Sequence, residues 1–584
     1  MLEFIQLLKQ RYQALLAQQV DEAGRQRCVQ RIDQLHLTEA FIRKGELTQV
    51  KNQPVLQIAI IGPTQVGKSS VVNVLLNSDM AGVSPLAGYT VHAQGFCHLV
   101  NKADNQSLQR FFGRFQCLEV SALPKHRFDC YALTDVAGHS PYLPACVLWD
   151  TPDFDSIDSQ TYREGVLRTI ALADVVILVV SKEKYADQSV WDMMALLEDL
   201  HQPTFICLNK ISEGSEDILL RSLQEKWRQV RSDAYPETIL LSYQKLGGLP
   251  IWPEINRSLL TRLSVNINAR KHNQYELSLV QKYSPGWLEP VNEELQALSE
   301  WQQLIDGLVK QALQSYQREF LDHPQHYETF QQALAELLTL LEIPGLAGLL
   351  TGARKVLVWP IKQLMKYAKK PAHLADTSQE VVLLNRLAEH LLIQLQDNIL
   401  DNAERTKTGF WSKEFSSLVR SIRVDLLTEF SLAARNYHIE FQRDVEKTAH
   451  QLYDKLQEQP VVLNSLRATR VTADAAVIAL TLHTGGIGVH DLVIAPAMLT
   501  VTSLLTESAI GGFIHKLEMQ LKQQQLHHVK QKLFIEHMAK KLLSLPERIP
   551  ATMHFNISTE QLKAFEQQLA EKHLTEKRHG LRIL

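Results

Sequence analysis

Apolar residues follow two different periods along this chain. Between about residues 54 and 262 they come as short continuous runs: Leu56 to Ile61, Ala145 to Trp149, Ala173 to Lys182, the run ending on Asn209 and Lys210, and TILL before Ser242. Runs of this length, separated by loops and helical spacing, predict the buried strands of a mostly parallel α/β sheet. On both sides the spacing changes to three and four residues, which predicts amphipathic helices. These are Leu2–Gln19 and Ala23–Lys44 before the sheet, and Glu293–Phe320, Glu380–Asn402, Trp411–Asn436, Phe441–Gln457 and Phe513–Leu543 after it. The expected architecture is an α/β nucleotide-type domain over residues 54–262 and a large all-α helical bundle or stalk over 263–545. The helices of residues 1–50 are expected to join that bundle, and Pro546 and Pro550 end its last helix, leaving 546–584 as a polar tail.

Two stretches depart from the helical pattern. Residues 343–370 mix small and bulky apolar side chains and end in a basic cluster, and residues 475–512 are nearly free of charge, with Gly485, Gly486 and Gly488 marking a turn. Each arm is shorter than the roughly 20 apolar residues a spanning helix needs. A hairpin dipping into one leaflet fits the pattern, and so does the centre of a large bundle.

Composition narrows the classes. The chain has 584 residues, too many for one core, and 61 basic against 64 acidic residues, a net charge of −3. Binding nucleic acid through bulk charge is therefore not expected. Six cysteines at irregular positions show no metal or redox spacing. With an N-terminal stretch that is charged throughout, they predict a cytoplasmic protein, peripheral at the inner face of a membrane if the apolar segments engage lipid.

The chemistry lies in IAIIGPTQVGKSS, residues 58–70. Gly62, Gly67, Lys68 and Ser69 fit G-x-x-x-x-G-K-[ST] between a predicted strand and a predicted helix, the context this phosphate loop requires. Its backbone N–H groups, with Gln65, Val66 and Ser70 among their bearers, would cradle phosphates at a helix N-terminus. Lys68 would reach the β and γ phosphates, and the Ser69 hydroxyl would sit on Mg²⁺. Further along, Asp150 ends an apolar strand where a carboxylate can hold the hydration shell of that ion.

The order of these elements resembles a P-loop GTPase of the translation-factor-related class and, more narrowly, bacterial dynamin-like GTPases, over about residues 54–262. By that resemblance Thr90 is the threonine that closes over the γ-phosphate and joins Ser69 and Asp150 at Mg²⁺. Asp150-Thr151-Pro152-Asp153 stands for D-x-x-G, Asn209-Lys210-Ile211-Ser212 for the N-K-x-D base reader, and Ser242 for the last base-contacting element. Asp153 replaces a glycine and brings a carboxylate beside the phosphates, and Ser212 replaces an aspartate, so the bidentate contact to guanine is lost. Phe154 stands where small GTPases carry a water-orienting glutamine. The resemblance therefore implies that the hydrolytic role falls to the phosphate loop or to a monovalent cation, often upon dimerisation across the nucleotide face, and Gln65, with Lys68 and Thr90, is the expected catalytic set. It also implies self-association, a second copy or a related GTPase as partner, and a membrane-directed tip on the helical stalk. The alternative is a soluble GTP-binding scaffold whose helical region docks a protein.

Overall fold

The computed structural model describes residues 1–19, 21–48, 55–82, 90–102, 106–155, 159–211, 216–242, 269–322, 378–405, 409–461 and 511–581. The apolar stretches 343–370 and 475–510 lie outside the described residues, as do Ser212 and the side chain of Ser242.

Eight strands form one sheet: β1 (Leu56–Ile61), β2 (Ala93–His98), β3 (Gln116–Leu118), β4 (Cys130–Asp135), β5 (Cys146–Asp150), β6 (Val175–Ser181), β7 (Thr204–Ile211) and β8 (Thr238–Ser242), in the order β3-β4-β2-β5-β1-β6-β7-β8. All neighbours are parallel except β2 and β5. Every residue of β1 is buried because helices cover both faces, which is why its sequence is a continuous apolar run and not an alternating one. The insertion after β2 extends the sheet: α4 (Gln106–Phe112), β3 and β4 add strands beyond β2, and Phe112 stacks on Tyr131 at 4.0 Å. Register brings the functional ends together. Ile60 pairs with Asp150 and Ser181 with Asn209, so β1, β5, β6 and β7 all finish at one edge.

The described residues divide into two units, Met1–Asn292 with Ala551–Leu584, and Glu293–Pro550. This differs from the expectation for residues 1–50. Helices α1 (Leu2–Leu16) and α2 (Glu22–Thr48) cluster with the nucleotide domain, and α2 lies along α5 (Ser159–Leu172). The reason is charge as much as apolar contact. Glu39 on α2 pairs with Lys9, with Arg43 at 3.1 Å and with Arg168 of α5 at 3.4 Å, and Asp33 pairs with Arg163 at 2.5 Å. Lys44 donates to Asp174 at 2.7 Å, whose other oxygen accepts from the Gln57 backbone at 2.9 Å, tying α2 to the start of β1. The C-terminal segment also differs from a plain polar tail. Helix Thr559–Leu581 packs Phe565 on Phe4 at 4.5 Å, and Phe555 meets Tyr12 at 4.9 Å.

The second unit is helical. It comprises the later turns of α8 (Ala269–Tyr316), then α9 (Gln379–Arg405), α10 (Gly409–Gln457) and α11 (Gly511–His528), the last widening into a π-helical stretch, Val529–Ala539. Two expected helices, 411–436 and 441–457, are one, since nothing between them breaks the ladder. Trp301 donates to the Leu542 carbonyl at 3.1 Å and stacks on Phe415 at one end of the unit. Farther along, the buried Glu380 accepts from Tyr316 at 2.6 Å, Gln525 at 2.9 Å and Tyr437 at 3.3 Å, with His438 at 2.8 Å on its other oxygen. One carboxylate thus joins four helices.

Candidate nucleotide site

The phosphate loop follows β1 and opens α3 (Lys68–Leu76). Two of its positions admit only glycine. A Cβ at Gly62 would lie 2.3 Å from the Val179 carbonyl, and Gly67, at φ 88°, would bring one to 2.6 Å from Asn209 Nδ2. Gln65 also has a positive φ, 64°, and its side chain is exposed at the loop apex, while Val66 is fully buried beneath it.

Asn209 and Lys210 reach this loop from the end of β7. Asn209 Nδ2 donates to the Val66 carbonyl at 2.9 Å, its Oδ1 accepts from the Lys210 backbone at 2.9 Å, and Lys210 Nζ donates to the Gln65 carbonyl at 2.6 Å. The expected base-reading residues therefore brace the phosphate loop.

The residues expected to hold magnesium, Ser69 and Asp150, lie together. Ser69 Oγ donates to Asp150 Oδ2 at 2.6 Å, and the other carboxylate oxygen, Oδ1, is buried with no hydrogen-bond partner. Complete burial pushes the Asp150 carboxyl up to about 6 despite the Ser69 hydrogen bond and the nearby Lys68 charge. An orphaned, desolvated carboxylate oxygen beside a hydroxyl is a donor set that fits a hard divalent cation. Thr90 is half-buried just ahead of β2, and among the described residues no hydrogen bond joins it to Ser69 or Asp150.

Lys68 is buried, and it donates to the Gly62 carbonyl at 3.0 Å, to the Pro63 carbonyl at 3.1 Å and to Asp153 Oδ1. Phe154 is buried in the main apolar cluster of the domain, which explains why it is apolar and leaves it no part in orienting water. Asp155, a position the motif reading passed over, accepts from both the backbone and the hydroxyl of Thr64 at 2.5 Å and pairs with Lys184 at 3.3 Å. The available signal was the alternation Asp153-Phe154-Asp155, two carboxylates flanking one apolar residue in a loop. Ser242 pairs with Ile211 at the end of β8, at the same sheet edge.

Residues 57–210 match the family described as 50S ribosome-binding GTPase. No curated protein matches the chain. Among solved structures, Aquifex aeolicus Era bound to GDP and aluminium fluoride is 18% identical over 35% of this chain and 55% of its own, with a TM-score of 0.22. Two chains from work on an oligomerised bacterial dynamin pair, described as a mechanism for long-range sensing and tethering of membranes, are 10% and 11% identical. They cover 93% and 98% of this chain and 92% of each of their own, with TM-scores of 0.32 and 0.33. By the family model that they match and the phosphate loop that the fold sets at the strand ends, residues 57–210 form a P-loop GTPase domain.

Proposed function

We propose that this GTPase is a dynamin-like mechanoenzyme that binds and hydrolyses GTP with Mg²⁺, self-associates, and acts at a membrane through its apolar helical segments. Lys68 neutralises phosphate charge, Ser69, Thr90 and Asp150 hold Mg²⁺, and Asn209, Lys210, Ser212 and Ser242 frame the base. Mg²⁺, when bound, would supply positive charge that offsets the charge of the phosphates. Gln65, exposed on the phosphate loop, is the residue assigned to the γ-phosphate region or to a second copy facing it.

One observation carries the membrane part. Tyr316 at the end of α8 and Glu380 at the start of α9 meet in one hydrogen bond, so the described helices that flank residues 343–370 in sequence come together there. The last turns of α10 and the first turns of α11, which flank residues 475–510 in sequence, also meet, with Lys455 over the Phe513 ring at 5.7 Å. Anionic liposomes test the reading. Co-sedimentation that disappears on Leu492→Asp or Leu499→Asp supports it, whereas a chain that turns over GTP and stays in the supernatant with or without lipid is a soluble switch that docks a protein.

A further inference from the structure

We infer that Asp153 is a nucleotide-selectivity residue: its carboxylate competes with a terminal phosphate for Lys68, and so weakens the site for GTP more than for GDP. The inference rests on the GTP-binding reading and adds to it a residue that sets which nucleotide state is held.

A lysine ammonium has three N–H donors. In Lys68 all three are engaged, by the carbonyls of Gly62 and Pro63 and by Asp153 Oδ1. A phosphate oxygen therefore reaches Lys68 only by displacing one of these acceptors. The two carbonyls belong to the phosphate loop itself and are neutral. Asp153 is the one charged acceptor of the three, and it is the one that an incoming phosphoryl group repels.

The contact is also fastened in place. Phe154 is only 3% exposed in the apolar cluster, and Asp155 holds Thr64 through two hydrogen bonds of 2.5 Å while pairing with Lys184. With its next two residues anchored, Asp153 does not swing away at no cost. Lys68 and Asp153 are 6% and 8% exposed, so both their attraction and the repulsion between Asp153 and phosphate are little screened. Because Lys68 spans the β and γ phosphates, GDP presents it with one phosphoryl group and GTP with two. The charge conflict is larger for GTP.

The test uses the full chain with Mg²⁺ and fluorescent GTP and GDP analogues, comparing wild type with Asp153→Asn and Asp153→Gly. Asn keeps an acceptor for Lys68 and so keeps the loop folded, while Gly removes the side chain altogether. Expected is a tightening of GTP binding of about tenfold or more in both variants, with a smaller gain for GDP. Unchanged or weaker GTP binding in both variants, with wild type still binding GTP, overturns the inference and assigns Asp153 a supporting role in the bound complex. Failure of wild type and both variants to bind either nucleotide overturns the GTP-binding reading, and the inference with it.

Discussion

Replacing Glu39 with glutamine tests how the N-terminal helices are held to the nucleotide domain. Glu39 is 1% exposed and is met by Lys9, Arg43, Arg168 and, at 3.0 Å, Gln6. Burial alone pushes its carboxyl up, but the charges of Arg168 and Lys9 and the hydrogen bonds from Lys9 and Gln6 outweigh burial and hold it down at about 2, against an ordinary 4.5. A depressed carboxyl contributes stability that is present above its unfolded value and is lost as pH falls toward its folded one. The shift corresponds to ~3 kcal/mol at neutral pH, which Glu39→Gln removes. The deficit should be flat above about pH 5.5 and narrow by about 1 kcal/mol at pH 4, where the unfolded carboxyl has largely protonated. His36, pushed by burial down to about 4 while the Glu39 charge acts weakly the other way, adds a loss of its own as pH falls from about 6.5, one shared by both proteins apart from that smaller charge contribution. Urea unfolding at pH 7, 5.5 and 4, read by hydrogen exchange on peptides of α1, α2 and α5, follows this unit separately from the helical one. Equal midpoints at pH 7, or a deficit that widens on acidification, would refute the reasoning.

Gly67→Ala should lower GTP affinity ten- to a hundredfold, by roughly 1–3 kcal/mol of backbone strain at φ 88° plus the clash with Asn209, without altering the far-ultraviolet circular dichroism. Wild-type affinity in this variant would mean that the loop adopts another conformation. In the helical unit, Glu380→Ala removes the buried acceptor shared by Tyr316, Tyr437 and Gln525, and should cost ~3–5 kcal/mol. Faster hydrogen exchange across α9 and the middle of α10 is the expected sign, and unchanged protection there counts against the four-helix junction.

The nucleotide site was legible because its signals are local. A strand, a glycine loop with Lys68 and Ser69, and a helix follow one another within about twenty residues, and the apolar runs that end on Asp150 and Asn209 are strands of the same sheet. Partner choice was not legible. The spacing of α1 and α2 defines an apolar face but not what covers it, and the pairing of Glu39 with Arg168 joins residues 129 positions apart. The same limit hid Asp155, whose role depends on Thr64 lying 91 residues earlier in sequence. Element ends were misjudged where no proline or glycine marks them, as between 436 and 441, and in α8, which continues through Pro285 and Pro290.

The most direct test of the central claim is turnover of GTP and ATP, side by side, by purified full-length protein with Mg²⁺, with Lys68→Ala as the blank. The account predicts GTP hydrolysis above the blank, a smaller rate with ATP, and a specific GTPase rate that rises with protein concentration or with anionic liposomes. Equal rates for wild type and Lys68→Ala would contradict it.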